Sequence, residues 1–248
     1  MSARERCAHA EHVMHAIDLL EQARARYGDK LVYPCSLGAE GVVLIDMIAS
    51  HAPGIRILTL DTGRLPQSTY DLMDKVRAHY GLHLGVVLPD AHEVEEMVGD
   101  HGLNLFYDSV ALRQQCCEIR KVQPLRRALA GNEAWITGRL RSQSKERADI
   151  QAVEDDRVFG LKKYNPLHEW SWQQVWDYIR AFDVPYNRLH DEHFVSIGCE
   201  PCTRAIAVGE DVRAGRWWWE IETASECGLH MNPIRAGKEE ANEQGGGI

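Results

Sequence analysis

The 248-residue chain has no apolar run long enough to span a membrane. Its first residues, Met1–Glu11, carry no apolar signal core, which predicts a cytoplasmic protein. Positive charge is not in surplus: 28 Lys and Arg face 37 Asp and Glu, a formal net of −9. That balance argues against a protein that coats nucleic acid or anionic membrane. Internal repeats are absent, as is the Gly-Lys-Ser/Thr ending of a Walker phosphate loop. Cysteines number seven. An odd count in a chain too large to be a disulfide-stapled secreted domain points to metal ligation or thiol chemistry.

What is present begins with an uneven distribution of charge. Between Arg113 and Arg147 stand nine Lys/Arg against three Asp/Glu, a local +6 in an acidic protein. A small anionic ligand is therefore compatible with the overall charge. The length and the 44% hydrophobic content suit one large domain with its own core.

The first two thirds alternate helical and strand patterns. Glu11–Tyr27, Val42–Ile48 and Ser68–Tyr80 read as helices, and Ser109–Ala130 as one more, kinked at Pro124. Leu31–Tyr33, Ile55–Leu60, Leu82–Leu88 and Ala134–Thr137 read as strands, with Val158–Leu161 as a fifth. Ser171 is placed to cap a helix through Trp172, Val175, Trp176 and Ile179. This alternation predicts an α/β fold with a mainly parallel sheet flanked by helices, whose ligands sit beyond the carboxyl ends of the strands. After Asn187 the pattern becomes irregular. The reading gives one domain over residues 1–233, with a mobile segment from about 205 to 233, and a disordered polar tail over 234–248.

Three loops follow strands on the same sheet edge. Ser36-Leu-Gly-Ala-Glu-Gly41 opens a helix, where backbone amides can face an anion. Asp61-Thr-Gly-Arg64 ends the second strand. Gly138-Arg-Leu-Arg-Ser-Gln-Ser-Lys-Glu-Arg147 offers guanidinium forks suited to phosphate or sulfate oxygens.

Cys116-Cys117 and Cys199-Glu-Pro-Cys202 supply four thiols, a set able to hold zinc or an iron–sulfur cluster. Adjacent helical side chains diverge by about 100°, which is awkward for one zinc and acceptable for separate irons of a larger cluster. Lys121 lies one turn beyond Cys117. Cys227, in Glu226-Cys-Gly-Leu-His230, stands outside both pairs and is a candidate nucleophile; Cys35 is a rival.

Together these pieces resemble the assimilatory adenylyl-sulfate reductases of the sulfonucleotide reductase family. The resemblance runs from about Leu31 to His230. It rests on Ser36–Glu40, Leu60–Arg64, Cys116-Cys-Glu-Ile-Arg-Lys121, Arg141–Arg147, Gly198-Cys-Glu-Pro-Cys-Thr-Arg204, Arg213-Ala-Gly-Arg-Trp-Trp-Trp-Glu220 and Glu226–His230. It implies an adenine nucleotide alpha hydrolase-like, Rossmann-like fold with an irregular C-terminal segment. It implies a [4Fe-4S] cluster on Cys116, Cys117, Cys199 and Cys202, with Cys227 as nucleophile and Lys121 and His230 beside it. Substrate binding falls to Ser36, Gly38, Leu60, Gly63, Arg141, Arg147, Arg213 and Arg216. The implied reaction reduces adenylyl sulfate to sulfite and AMP through an S-sulfocysteine, with thioredoxin or a glutaredoxin-like protein as reductant. Assembly into a homo-oligomer stays open.

Two positions depart from the family pattern. Gly41 stands where Asp is common. Gly138-Arg-Leu-Arg141 stands where Gly, an apolar residue and two arginines are expected, so the pattern assigns Arg139 no direct substrate role. Alternatives on the same residues are a phosphoadenylyl-sulfate reductase, an ATP-pyrophosphatase-like nucleotidyl transferase, and a non-catalytic iron–sulfur or zinc module.

Overall fold

The computed structural model describes residues 10–143 and 147–220. It contains a six-stranded sheet in the order β3-β2-β1-β4-β6-β5. The strands are β1 (Leu31–Pro34), β2 (Arg56–Leu60), β3 (Leu84–Val87), β4 (Ala134–Ile136), β5 (Val153–Asp156) and β6 (Leu161–Tyr164). Five run parallel, and only β5 is antiparallel to its neighbour β6. The helices are α1 (Ala10–Tyr27), α2 (Ala39–His51), α3 (Gln67–Tyr80), α4 (Ala91–His101), α5 (Val110–Cys117), α6 (Gln123–Leu129) and α7 (Trp172–Phe182). Among the described residues, no helix is long and apolar enough to cross a membrane.

The α/β expectation holds, and its physical origin is visible in α2. Val42, Val43, Leu44, Ile45, Met47 and Ile48 are all buried, so this helix is apolar on every side. It packs between α1 and α7. Strand order reverses at β1, whose neighbours are β2 and β4. A crevice at that switch point is where an open α/β sheet takes its ligand.

Three local expectations need correction. The fifth strand is not Val158–Leu161: that stretch is largely the turn between β5 and β6. Asp156 Oδ1 accepts from the amides of Val158 at 3.0 Å and Phe159 at 3.2 Å, and Gly160 takes φ +68°. The charged strands on either side, held by Lys162–Asp155 and Lys163–Asp156 pairs, lack the apolar alternation that marks a strand.

Secondly, Ser109–Ala130 is not one kinked helix. Ser109 caps α5 by accepting from Leu112 N, and Glu118–Val122 then forms a π-helical turn before α6. Pro124 sits in the first turn of α6, where its missing N–H is tolerated. The π turn ends where Gln123 N donates to Glu118 O, one residue before that proline.

Thirdly, α4 has no clear signature in the sequence. Asp90 caps it by accepting from His92 N and Glu93 N, but only Met97 is buried, so its apolar stripe is too thin to read. The cap foreseen at Ser171 is present, with Gln174 completing a reciprocal capping box.

A second apolar cluster packs outside the sheet: Met97, Leu105, Phe106, Cys199, Cys202 and Trp217. It closes the 198–220 segment onto the domain. Thr203 bridges Arg216, and Arg204 N donates to Gly215 O at 2.9 Å. The stretch 205–220 is irregular in form. The rest of the 205–233 segment and the 234–248 tail lie outside the described residues.

Candidate active site

The carboxyl ends of β1, β2 and β4 open on a cavity of about 240 Å³. The loop after β1 lines it with Ser36 and Gly38, on either side of Leu37, which is buried and takes φ +59°. A left-handed conformation in a non-glycine residue is strained, and it turns the loop from strand into α2. Ser36, Gly38, Leu60, Lys121, Arg147, Arg213 and Arg216 all line the cavity.

The structure places the other expected residues differently. Gly63 is not a lining residue; its amide donates to Asp61 Oδ1 at 2.8 Å and it takes φ +69°. Arg141 is also off the lining. Its Nε donates to Ile150 O at 2.6 Å and its guanidinium pairs with Glu169 at 3.1 Å. Arg139, which the family pattern left without a role, does line the cavity, paired with Glu154 at 3.6 Å. Leu140 between them is fully buried. The arginine order is set by which residue the core takes. Cys227 and His230 lie outside the described residues.

Glu40 enters the family pattern only as the end of Ser36–Glu40, yet it organises one wall. It accepts from Gln143 Nε2 at 3.1 Å, and Gln143 in turn accepts from Arg147. Burial pushes the Glu40 carboxyl up, and Gln143, Arg147 and Arg213 oppose that rise. Gly138 packs closely beside it: a Cβ there would stand 3.1 Å from Glu40 Cγ. Gly41 is explained in the same way: a Cβ would stand 3.0 Å from Cys35 Sγ. Cys35 itself is buried, and burial pushes its thiol up to about 12. That environment suits an inert packing cysteine better than a nucleophile.

The four expected ligand cysteines come together. Cys116, Cys117, Cys199 and Cys202 line one small cavity with Arg64, Arg113, Arg120, Lys121 and Trp217. The π turn carries Arg120 and Lys121 around toward this space immediately after Cys117. Arg120 is buried and donates to Thr62 O at 2.7 Å. The hydroxyl of Thr62 is 3.2 Å from Cys199 Sγ.

Electrostatics around the quartet favour thiolate at one corner. Burial pushes the Cys199 thiol up, but Lys121, Thr62 and Arg216 outweigh it and hold the thiol below its ordinary value. Burial and the neighbouring Cys199 push Cys202 up to about 12. Among the described residues, no three Cys, His, Asp or Glu side chains are arranged to hold a single metal ion. Four sulfurs around a common space, walled by cations, are a donor set that fits a polynuclear iron–sulfur cluster better than one zinc.

Fold and site thus define an α/β protein of the adenine nucleotide alpha hydrolase-like type, with a cation-lined cavity at the switch point and a cysteine quartet against it. The chain belongs to the phosphoadenosine phosphosulfate reductase domain family, whose model matches residues 30–205. It is 52% identical over 215 residues to an adenosine 5'-phosphosulfate reductase of Allochromatium vinosum, covering 87% of this chain and 84% of that one. The crystal structure of a phosphoadenylyl-sulfate reductase from Candida auris superposes with a TM-score of 0.66 at 31% identity, over 78% of this chain and 97% of that one. An FMN adenylyltransferase from Candida glabrata shares the fold alone, with a TM-score of 0.56 at 11% identity, over 94% and 81% of the two chains.

Proposed function

We propose that the protein reduces adenylyl sulfate to sulfite and AMP, using Cys227 as nucleophile and an external dithiol protein of the thioredoxin or glutaredoxin type. The observation that carries this reading is Lys121, which lines both the nucleotide-sized cavity and the cysteine cavity. An oxyanion held at that wall meets a cation that also faces the thiols. The identity to the Allochromatium relative supports the same substrate.

In the first step, the Cys227 thiolate attacks the sulfur of adenylyl sulfate. The S–O bond to the phosphate breaks, AMP leaves with the electron pair, and the sulfonate is carried as S-sulfocysteine. Thiolate and substrate are both anionic, so Lys121, Arg147, Arg213 and Arg216 offset their repulsion. His230 favours the thiolate. A reductant thiolate then attacks Cys227 Sγ and expels sulfite. Its second thiol loses a proton, resolves the mixed disulfide and returns Cys227 reduced. The two electrons come from the dithiol.

Cys116, Cys117, Cys199 and Cys202 would hold a [4Fe-4S] cluster, which would supply structure and charge and no electron-transfer cycle. A cytoplasmic setting, where thiols stay reduced, suits this chemistry.

Mass spectrometry after one turnover tests the reading: a sulfonate adduct on Cys227 is expected, with none in Cys227→Ser. Sulfite formation by Cys227→Ser at the normal rate would overturn it. The resemblance to the Candida auris enzyme favours a second substrate, the 3'-phosphorylated nucleotide. Sulfite assays with both nucleotides separate the two.

A further inference from the structure

Arg113 is the most deeply buried cation among the described residues, with its side chain only 2% exposed. It lies in α5, one turn before Cys117, at a position the sequence motifs left unused. Its Nε and Nη2 donate to the two Glu220 carboxylate oxygens at 2.7 and 3.1 Å. The guanidinium also stacks on the Trp217 ring at 4.6 Å. Trp217 carries Arg216 on its ring as well, at 4.9 Å, and it takes a left-handed φ of +46°. Glu220 N donates to Trp217 O at 2.9 Å, closing the turn.

Arg113 therefore grips both ends of one strained turn. A bidentate fork fixes the orientation of Glu220 as well as its distance. On the far side of the turn, Arg216 Nε donates to Cys202 O at 3.1 Å and its guanidinium lines the cavity. Seven chain steps lead from Glu220 to Cys227. Fully extended, they reach at most about 25 Å. Holding Glu220 thus bounds where the Cys227 sulfur can go, which raises its effective concentration at the cavity.

We propose that Arg113 and Glu220 are positioning residues for the reaction, acting through the Trp217–Glu220 turn to set Arg216 and the origin of the Cys227 segment. This inference rests on the Cys227 reading above. The role is geometric: Glu220 offsets the charge of Arg113, and a lysine would keep the charge and lose the fork and the stack.

The test uses the full, iron-loaded chain with adenylyl sulfate in single turnover, reading S-sulfocysteine by mass, alongside iron content and melting temperature. Arg113→Lys and Glu220→Gln are expected to slow adduct formation by about tenfold or more, with iron content unchanged. KM in the steady state is expected to stay within about threefold. The paired change Arg113→Met with Glu220→Met removes both buried charges together and is expected to show the same loss in a folded protein. A rate within about twofold of the parent in any folded, iron-loaded variant would overturn the proposal. Loss of fold or iron in all three would overturn it too, assigning the pair to architecture. Absence of an adduct in the parent protein would instead overturn the Cys227 reading.

Discussion

The Thr62 hydroxyl lies 3.2 Å from Cys199 Sγ, joining the loop after β2 to a cysteine 137 residues further along. The contact is buried, and the neighbouring backbone is tied in the same direction, since Glu200 N donates to Arg64 O at 2.8 Å. The loop that forms one edge of the cavity is thereby built onto the cysteine pair.

Thr62→Val should cost about 1 kcal/mol of stability, the net value of one buried hydrogen bond. It should also speed loss of iron to a chelator, because Cys199 loses a partner that favours its thiolate. Urea unfolding and timed chelation check the two effects separately.

Gly198→Ala should disable the site with little change in the fold. A Cβ at 198 would fall on the Arg216 guanidinium, a flexible group that can move aside. Arg216 would then leave its place at the Cys202 carbonyl and the cavity wall. A fall in sulfite formation of about tenfold or more at an unchanged melting temperature is expected. Gly215→Ala makes the contrast: its Cβ would strike the Arg204 carbonyl oxygen, a backbone atom, and the melting temperature should fall.

Arg139 and Arg141 should separate in kinetics. Arg139→Ala removes a cavity-lining cation and should raise KM by about tenfold, as for a lost charge-assisted hydrogen bond. Arg141→Ala breaks a half-exposed pair with Glu169 and should leave KM within about twofold. Steady-state assays on adenylyl sulfate decide this.

Stability should fall in mild acid. Burial holds the His190 imidazole below its ordinary 6.5, against the Phe194 carbonyl and Asp191, and burial also lowers His168. The unfolded chain then binds more protons than the folded one below about pH 6.5. The contribution is fully present above that value and is lost as pH drops toward the folded values. The urea midpoint should be lower at pH 5 than at pH 7.5, and His190→Gln should flatten the difference.

Much of this protein was legible in its sequence, and for a common reason. The alternation of helix and strand, the Ser171 cap and the two cysteine pairs all act over a few residues. Propensity, periodicity and capping operate at that range. The loops that open the cavity could be placed because parallel strands deliver every following loop to one edge. Net charge and the basic stretch from Arg113 to Arg147 needed only counting.

Tertiary structure decided which way individual side chains face. Arg139 and Arg141 are two residues apart in an irregular loop, and the buried Leu140 between them sets which one meets the cavity. Local pattern carries no rule for that choice. The π turn at Glu118–Val122 is likewise needed to bring Lys121 between the two cavities, and it shows in sequence only as a proline nearby. Arg113 and Glu220 are 107 residues apart, and no local pattern pairs them. Burial makes them a pair, because a buried charge must find its opposite wherever the fold has brought one.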